Sequence, residues 1–480
     1  MNVLTRPPPS TESIFAGLGH NATPSAPYRP AIRGRLPEGL AGTLYRNGPG
    51  QFSRAGRTKR TVLDGDGFVQ RLSVADGVAS YAAQFVQTPK YIAECAAGRF
   101  LWPTWTSTAP GLRANLGNNV PSQAGVTVYQ VGGKLMALDE VAPGFELDPD
   151  TLATIGPIQL GLPDEDAAMK AHARRLPETG DWLFASTRLG RAGMQIDIVR
   201  HRRDGTRVNT PTVQAPRMTY VHDFGVTERH ALFVLHAVAF NPLKFLLGLA
   251  SFSEALAWKP ALGNLLLVVD LATGNTRTFD APPTWVWHIA NCFEQQSALV
   301  MDFVGYDDAS HFLGPNAELA AIMRGHAGVP ATPGYLRRYT ADCATGRLTE
   351  DVLVRETTEF CAADPRRTGL SHRRIYMAHS GSDPRSPWHT GVAAYDTVTG
   401  TLDSFDFGAT THAGEPIFAS KPGGVTDDGW LLVQLLETAR GATAFAVLDA
   451  AALADGPVAV VELEQGQPLS FHGQWVPARG

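Results

Sequence analysis

Three stretches of the chain share one pattern: LLLVVDLATGNTRTF (265–279), LRRYTADCATGRLTE (336–350) and GVAAYDTVTGTLDSF (391–405). Each is an apolar strand-like run, then D-x-x-T-G, then a second strand-like run. The aspartates are Asp270, Asp342 and Asp396, and the glycines are Gly274, Gly346 and Gly400. A turn aspartate accepts hydrogen bonds from the backbone ahead of it, and glycine supplies the positive φ of a tight hairpin without steric cost. Two more hairpins are predicted, VTVYQVGGKLMALDE (126–140) around Gly132-Gly133 and IDIVRHRRDGTRV (196–208) around Asp204-Gly205. Antiparallel units recurring at roughly 50–70 residues suit propeller blades joined by long loops. About seven such units fill the chain, within the four to eight blades that propellers use. Helical spacing is confined to YIAECAAGRF (91–100) and NAELAAIMRGH (316–326), read as short loop helices. LDGDGFV (63–69) resembles a phosphate loop but lacks the lysine and the following helix, so it reads as a turn.

Composition agrees. Of 480 residues, 48 are glycine and 34 proline, about 17% together against roughly 12% in average usage. Hydrophobic residues make up 44% and charged residues only 18%, which permits a large core. With 41 basic and 46 acidic residues the chain lacks the basic excess of a nucleic-acid binder. The four cysteines form no C-x-x-C pair, which favours reduced thiols and a cytoplasmic protein. MNVLTRPPPSTESIF shows no secretory signal, and no apolar run is long enough to span a bilayer. The most apolar patch, NPLKFLLGLASFSEALAWKP (241–260), reads either as a buried helix pair or as a surface element dipping into lipid. In the second case Phe245, Leu246, Leu247 and Leu249 form its apolar side.

Dinucleotide, Walker, nucleophile-elbow and H-E-x-x-H motifs are missing. Histidines remain. In a propeller, axial ligands must come from strands far apart in sequence, at strand ends beside apolar residues. His222 in MTYVHDFGV, His288 in TWVWHIANCFE and His472 in LSFHGQWVP fit, and His172 in AMKAHARR fits less clearly. Taken singly, each is more commonly a satisfied core histidine. His20, His201, His230, His326, His372, His379, His389 and His412 sit among charged or small residues and are expected at the surface. Glu140, Glu359 and Glu415 lie in apolar settings, either solvated or serving as partners of metal-bound histidines.

Together these phrases resemble the carotenoid cleavage oxygenases. GTLYRNGPGQF, LDGDGFVQ, YVHDFGVTERHALF, WHIANCFE, EFCAADPRR, AGEPIFASKPGG followed by DDGWLLV, and FHGQWVP carry the likeness from about residue 30 to the C-terminus. NPLKFLLGLASFSEAL is similar to the membrane-dipping segment of the bacterial apocarotenoid oxygenases in this family. The resemblance implies an all-β, seven-bladed β-propeller (residues 30–480, after an N-terminal extension 1–29) with a dome of loops and short helices over an axial Fe(2+). It places the iron ligands on His172, His222, His288 and His472, although the family's usual proline after the first is replaced here by Ala173. The ligand-orienting carboxylates fall on Glu140, Glu359 and Glu415. The implied reaction uses molecular oxygen to cleave a hydrophobic conjugated alkene, an apocarotenoid, into two carbonyl products, with peripheral membrane contact. The same chemistry on a phenylpropenoid or stilbenoid is the alternative, and a retinoid-isomerase-like or non-catalytic lipid-binding propeller the third.

By adjacency to ligands, Trp287 and Phe471 are expected to line the substrate tunnel, with Trp102, Trp105, Trp285 and Phe303 as weaker candidates. Asp139 stands where these oxygenases commonly carry an aromatic and stilbene-cleaving relatives a lysine. It is expected either to accept a hydrogen bond from a substrate hydroxyl or to face solvent.

Overall fold

The computed structural model of the chain describes residues 17–478 apart from 159, 161–167, 191–192, 209, 315–316, 325–332 and 381–387. Seven antiparallel sheets of four or more strands make the blades of a propeller. The first holds Ser25–Tyr28, Gly42–Gln51, Asp66–Ala75, Val78–Phe85 and the C-terminal His472–Pro477. The second runs from Thr127–Val131 to Thr154–Pro157, and the third is built on Trp182–Gly190 and Gly193–His201. Blades four, five and six start at Phe224–Val226, Trp285–Gln295 and Thr358–Ala363, and blade seven at Thr411–Ser420. The starting strands of blades four to seven touch in turn, and the last meets His472–Pro477 of blade one. That strand meets Thr127–Val131 of blade two, so these strands form the inner wall of the ring.

Two pairings close it. His472–Pro477 lies beside Gly42–Gln51 with His472 opposite Asn47. Ser25–Tyr28 joins blade one, and Ala31–Gly34 then crosses to blade seven against Pro457–Glu462. The sheet therefore begins at Ser25, inside the segment expected to be an N-terminal extension.

The recurring turns explain themselves. Asp270 accepts from the amides of Ala272 (3.0 Å) and Thr273 (2.7 Å), and Gly274 has φ 74°. Asp342 and Asp396 do the same for Ala344 (2.7 Å) and Val398 (2.9 Å). All three turns join the third and outermost strands of their blades. A fourth copy sits in blade two, where Asp148 accepts from Asp150 and Thr151. Leu152 takes the glycine position there at φ 61° and is buried in the core, which hid the turn from pattern reading.

Between the blades the apolar faces interlock. Leu44, Phe68 and Tyr81 of blade one meet Phe445 and Val447 of blade seven, and Ile196 of blade three meets Phe233 and Leu267 of blade four. On one side, loops cover the ring: Trp105, Val238, Leu256 and Phe312 pack over Trp285 and Trp287. The expected loop helices are Pro89–Ala97 and Glu318–Ile322; the first is capped by Thr88, which accepts from the Tyr91 amide, and ends at Gly98 in the left-handed region. In the LDGDGFV turn, Asp64 accepts from Thr106 and Ser107 and fastens this loop layer.

Several histidines expected at the surface are buried: His201, His372, His379, His389 and His412. They lie at strand ends inside the ring, where polar partners are available; His372 Nε2 is 3.0 Å from Asp302, and His379 Nε2 is 2.6 Å from Glu356. His20 and His230 are half-buried, and His326 lies outside the described residues.

Gly400 tests the turn chemistry, because an added Cβ would meet only the Tyr395 hydroxyl, at 3.9 Å. Gly400→Ala should cost about 1–2 kcal/mol through backbone strain alone, read as a fall in the denaturation midpoint. An unchanged midpoint would contradict this account of the turn.

Candidate metal centre and substrate cavity

The inner strands bulge where the candidate site residues stand. The pairing register shifts on both sides of Ile289 beside His288, between Glu359 and Ala362, and between Ala413 and Pro416 around Glu415. A bulge turns a side chain out of the alternating pattern and is common beside active sites. Phe360 adopts φ 54° at one of them, a left-handed conformation that a bulky residue holds only when its surroundings enforce it. Its ring stacks on His288 at 5.1 Å. Asp223 ties the neighbourhood together: it accepts from the Arg174 guanidinium (2.5 Å) and the Ile289 amide (2.9 Å), so one carboxylate joins positions beside three of the histidines.

His172, His222, His288 and His472 converge, all buried, with one ring nitrogen from each within 4.8 Å of the others. His222 Nε2 lies 3.2 Å from His172 Nε2 and 3.4 Å from His288 Nε2. Three of the rings are oriented from behind. His222 Nδ1–H donates to Glu140 (2.7 Å), His472 Nδ1–H to Glu415 (3.0 Å), and His288 Nδ1–H to Glu359. Those bonds leave Nε2 of each neutral ring bare. Bare lone pairs facing one another across the axis repel unless a cation lies between them, so the donor set fits a metal ion with nitrogen ligands. Burial, then the three other histidines, drive His172 well below its ordinary range, which keeps it a neutral donor.

The carboxylates are supported in turn. Burial alone would raise all three, but the facing histidines together with the other donors and cations on each carboxylate hold Glu140, Glu359 and Glu415 below the usual carboxylate range. Arg46 adds an ion pair to Glu415 at 3.0 Å. Glu140 receives the Tyr220 hydroxyl at 2.8 Å and has Lys170 Nζ at 3.8 Å. Lys170 is buried and donates to the Val221 carbonyl at 3.0 Å.

A largely apolar cavity opens onto His222, His288 and His472 from the loop-covered side. Leu63, Trp105, Val126, Trp287, Phe360 and Phe471 are part of its wall. A second, more polar cavity reaches His172, His288 and His472 from the other side. Trp287 and Phe471 thus stand where adjacency put them, and Trp105 joins them. Trp285 is fully buried behind Trp287, 5.2 Å between rings. Phe303 is not in the wall; it faces the core between blades four and five and packs on Tyr339 at 4.4 Å. Trp102 is half-buried outside the cavity wall.

Asp139 corrects the sequence reading in both its forms, since it neither faces solvent nor reaches the cavity. Its oxygens accept from the amides of Gln123 (2.6 Å), Ala124 (2.9 Å), Glu140 (2.6 Å) and Val141 (3.0 Å). Burial raises its pKa against the pull of these amides. Its work is to hold the loop that carries Glu140. Residues that sequence reasoning passed over include His236, whose Nδ1–H donates to the Tyr220 carbonyl (2.8 Å) and whose Nε2 accepts from the Val286 amide (3.0 Å). His311 and His389, the latter expected at the surface, both line the cavity.

The apolar segment is exposed. Pro242–Leu246 is a short helix, and Leu243, Leu246, Leu247 and Leu249 are 66%, 55%, 45% and 61% exposed, which rules out the buried helix pair. Phe245 instead turns inward, 5.4 Å from Phe240 and 6.0 Å from Phe252. Phe252 in turn lies 6.1 Å from Tyr220, so aromatic contacts lead from the patch to the metal-facing residues. No helix among the described residues is long and apolar enough to cross a membrane.

The chain is similar to known proteins in sequence and fold. The family model described as retinal pigment epithelial membrane protein matches residues 20–477. Apocarotenoid-15,15'-oxygenase of Synechocystis is 27% identical over 455 residues, covering 92% of each chain. Isoeugenol monooxygenase of Pseudomonas nitroreducens is 25% identical over 467 residues, covering 93% of this chain and 94% of its own. The cobalt-substituted form of the Synechocystis apocarotenoid oxygenase superposes with a TM-score of 0.91 at 26% identity, over 98% of this chain and 99% of that one.

Burial pushes His236, His311 and His389 down to about 4 each. Unfolded, they bind protons below about 6.5, while the native state refuses them until near 4, so stability is present above 6.5 and is lost as the pH falls through that window. Each contributes a slope of about 1.4 kcal/mol per pH unit. Denaturant midpoints should fall steadily from pH 6.5 to 4.5, more gently in His236→Gln; a flat profile would contradict the assignment.

Proposed function

For a chain that belongs to the retinal pigment epithelial membrane protein family of carotenoid oxygenases, we propose the reaction of an iron(II)-dependent dioxygenase that cleaves a conjugated double bond of an apocarotenoid. The observation that carries this reading is the meeting of four buried imidazoles with an aromatic-walled, largely apolar cavity, a lining suited to an apolar ligand. His172, His222, His288 and His472 would hold the metal, which when bound would supply the activation of dioxygen. Four neutral ligands leave the full 2+ charge in place, unlike the two-histidine, one-carboxylate set of many non-haem iron oxygenases. Glu140, Glu359 and Glu415 keep the protons of three rings on Nδ1 and their lone pairs aimed at the axis.

The remaining work is positioning. Trp287, Phe360 and Phe471 press on the polyene, fix the double bond to be cut and keep water from it. The alkene and one dioxygen molecule together make two carbonyls: the C=C bond breaks, each carbon takes one oxygen atom, and no outside reductant is consumed. The exposed leucines beside the aromatic run to Tyr220 suit a protein that rests on a lipid surface and draws its substrate from there.

Protein loaded with iron(II) without air, then given an apocarotenal and 18O2, should release two carbonyl products, each labelled. Glu359→Gln should lower metal affinity or turnover by about 10–100-fold, and chelation should abolish turnover. Carbonyls from isoeugenol- or resveratrol-type alkenes alone would overturn the substrate, and none from any alkene would overturn the reaction.

The surface patch has its own test. Replacing Leu246, Leu247 and Leu249 together by serine should weaken sedimentation with phospholipid vesicles by at least about tenfold, since each buried leucine is worth ~1.5 kcal/mol or more. Equal sedimentation would place the lipid contact elsewhere.

A further inference from the structure

Two residues of the cavity wall carry hydrogen-bond donors with no acceptor among the described residues. Trp287 Nε1–H donates to His311 Nε2 at 2.6 Å. An indole nitrogen can only donate, so His311 Nε2 is the bare nitrogen and the single ring proton of the neutral imidazole sits on Nδ1. That Nδ1 is buried without a partner, and so is Trp105 Nε1. Both residues line the cavity. Both also pack edge-on against Trp287, with ring centres 6.0 Å and 6.1 Å away, so the two rings share one neighbour in the wall.

The rings are held in these orientations. Tyr306 stacks on His311 at 4.1 Å and Phe312 on Trp105 at 5.2 Å. Burial also keeps the His311 imidazole neutral, pushing its pKa down to about 4. A donor shut away from both water and protein acceptors is costly, and a ligand that supplies the acceptor recovers that cost. Sites built this way reject analogues that lack the matching atom far more strongly than apolar pockets reject a missing methylene.

We propose that His311 Nδ1–H and Trp105 Nε1–H are specificity-determining donors that recognise a neutral oxygen acceptor on the alkene substrate, a carbonyl or ether oxygen. The pair offers protons only, so a hydroxyl would bring a further proton that this pair cannot accept. A carboxylate would bring a buried charge that neither neutral ring balances. The shared chemistry is found in a polyene ending in an aldehyde and in an aryl alkene bearing a methoxyl group. This inference deepens the alkene-cleavage reading and rests on it for the identity of the ligand, but binding without turnover tests it separately.

Iron(II)-loaded protein kept free of air would be titrated with ligand pairs differing only in the oxygen function, followed by quenching of tryptophan fluorescence. One pair is an apocarotenal and the polyene hydrocarbon of equal length; the other is 4-methoxy-1-propenylbenzene and 1-propenylbenzene. The natural chain should favour the oxygenated member of at least one pair, and the pair with the larger preference identifies the source of the oxygen. His311→Met and Trp105→Phe should each reduce that preference by about five- to tenfold. His311→Asn, whose amide nitrogen can stand near the place of Nδ1, should restore part of it, which a purely structural role would not do. Trp105→Phe keeps an aromatic ring against Phe312, so it still reports should His311→Met fail to fold. No preference in the natural chain, or a preference unchanged in the folded variants, overturns the proposal. Preferential binding with no carbonyl product would overturn the cleavage reading and leave this one standing.

Discussion

Ring nitrogens of His222 and His288 face each other at 3.4 Å, and with the ring proton on Nδ1 each turns a lone pair toward the other. Each ring has committed its proton to a glutamate behind it, through Nδ1. Lone pairs so placed are unfavourable in a buried, low-dielectric setting, and the protein must spend packing energy elsewhere to hold them. A cation on the axis turns that penalty into binding. Much of the surrounding structure serves this one condition: the carboxylates fix the tautomers, Arg46 and Lys170 steady two of the carboxylates, and Asp223 ties the strands that present the rings.

The propeller makes the condition attainable. Its inner strands reach one axis from seven sheets, so residues hundreds of positions apart become neighbours. Regular strands would alternate side chains between the two faces of a blade, and bulges beside His288, Glu359 and Glu415 break that alternation where the centre needs it. Ring closure through His472–Pro477 makes the last histidine part of the first blade, so the centre and the closed fold depend on one strand. Loops over one side then supply the aromatic wall, leaving chemistry to the axis and selection to the dome.

The sequence revealed this unevenly, for physical reasons. The outer hairpins were legible because D-x-x-T-G turns rely on local hydrogen bonds and a local φ; the blade-two copy was not, because Leu152 gives up glycine's freedom for burial. The four histidines were singled out by strand-end position and by the family resemblance, and they do come together. Burial of the other histidines was misjudged, since local polarity says little about a strand end inside a ring. Phe303 sits on a buried strand whose face no single-strand pattern specifies. Asp139 reads as a pocket or solvent-facing residue from what the family carries at its position, yet four backbone amides from two segments use its oxygens. His311 could not have been found by pattern, because its meaning depends on an indole from another segment that fixes its proton.

The central claim is a metal held by four imidazoles and no carboxylate. X-ray absorption at the iron edge, on protein reconstituted anaerobically with iron(II), tests it most directly. The account predicts one iron per chain whose scattering requires four imidazole rings, falling to three in His172→Ala. A first shell of two imidazoles with carboxylate oxygen, or no bound iron with all four histidines intact, would contradict it.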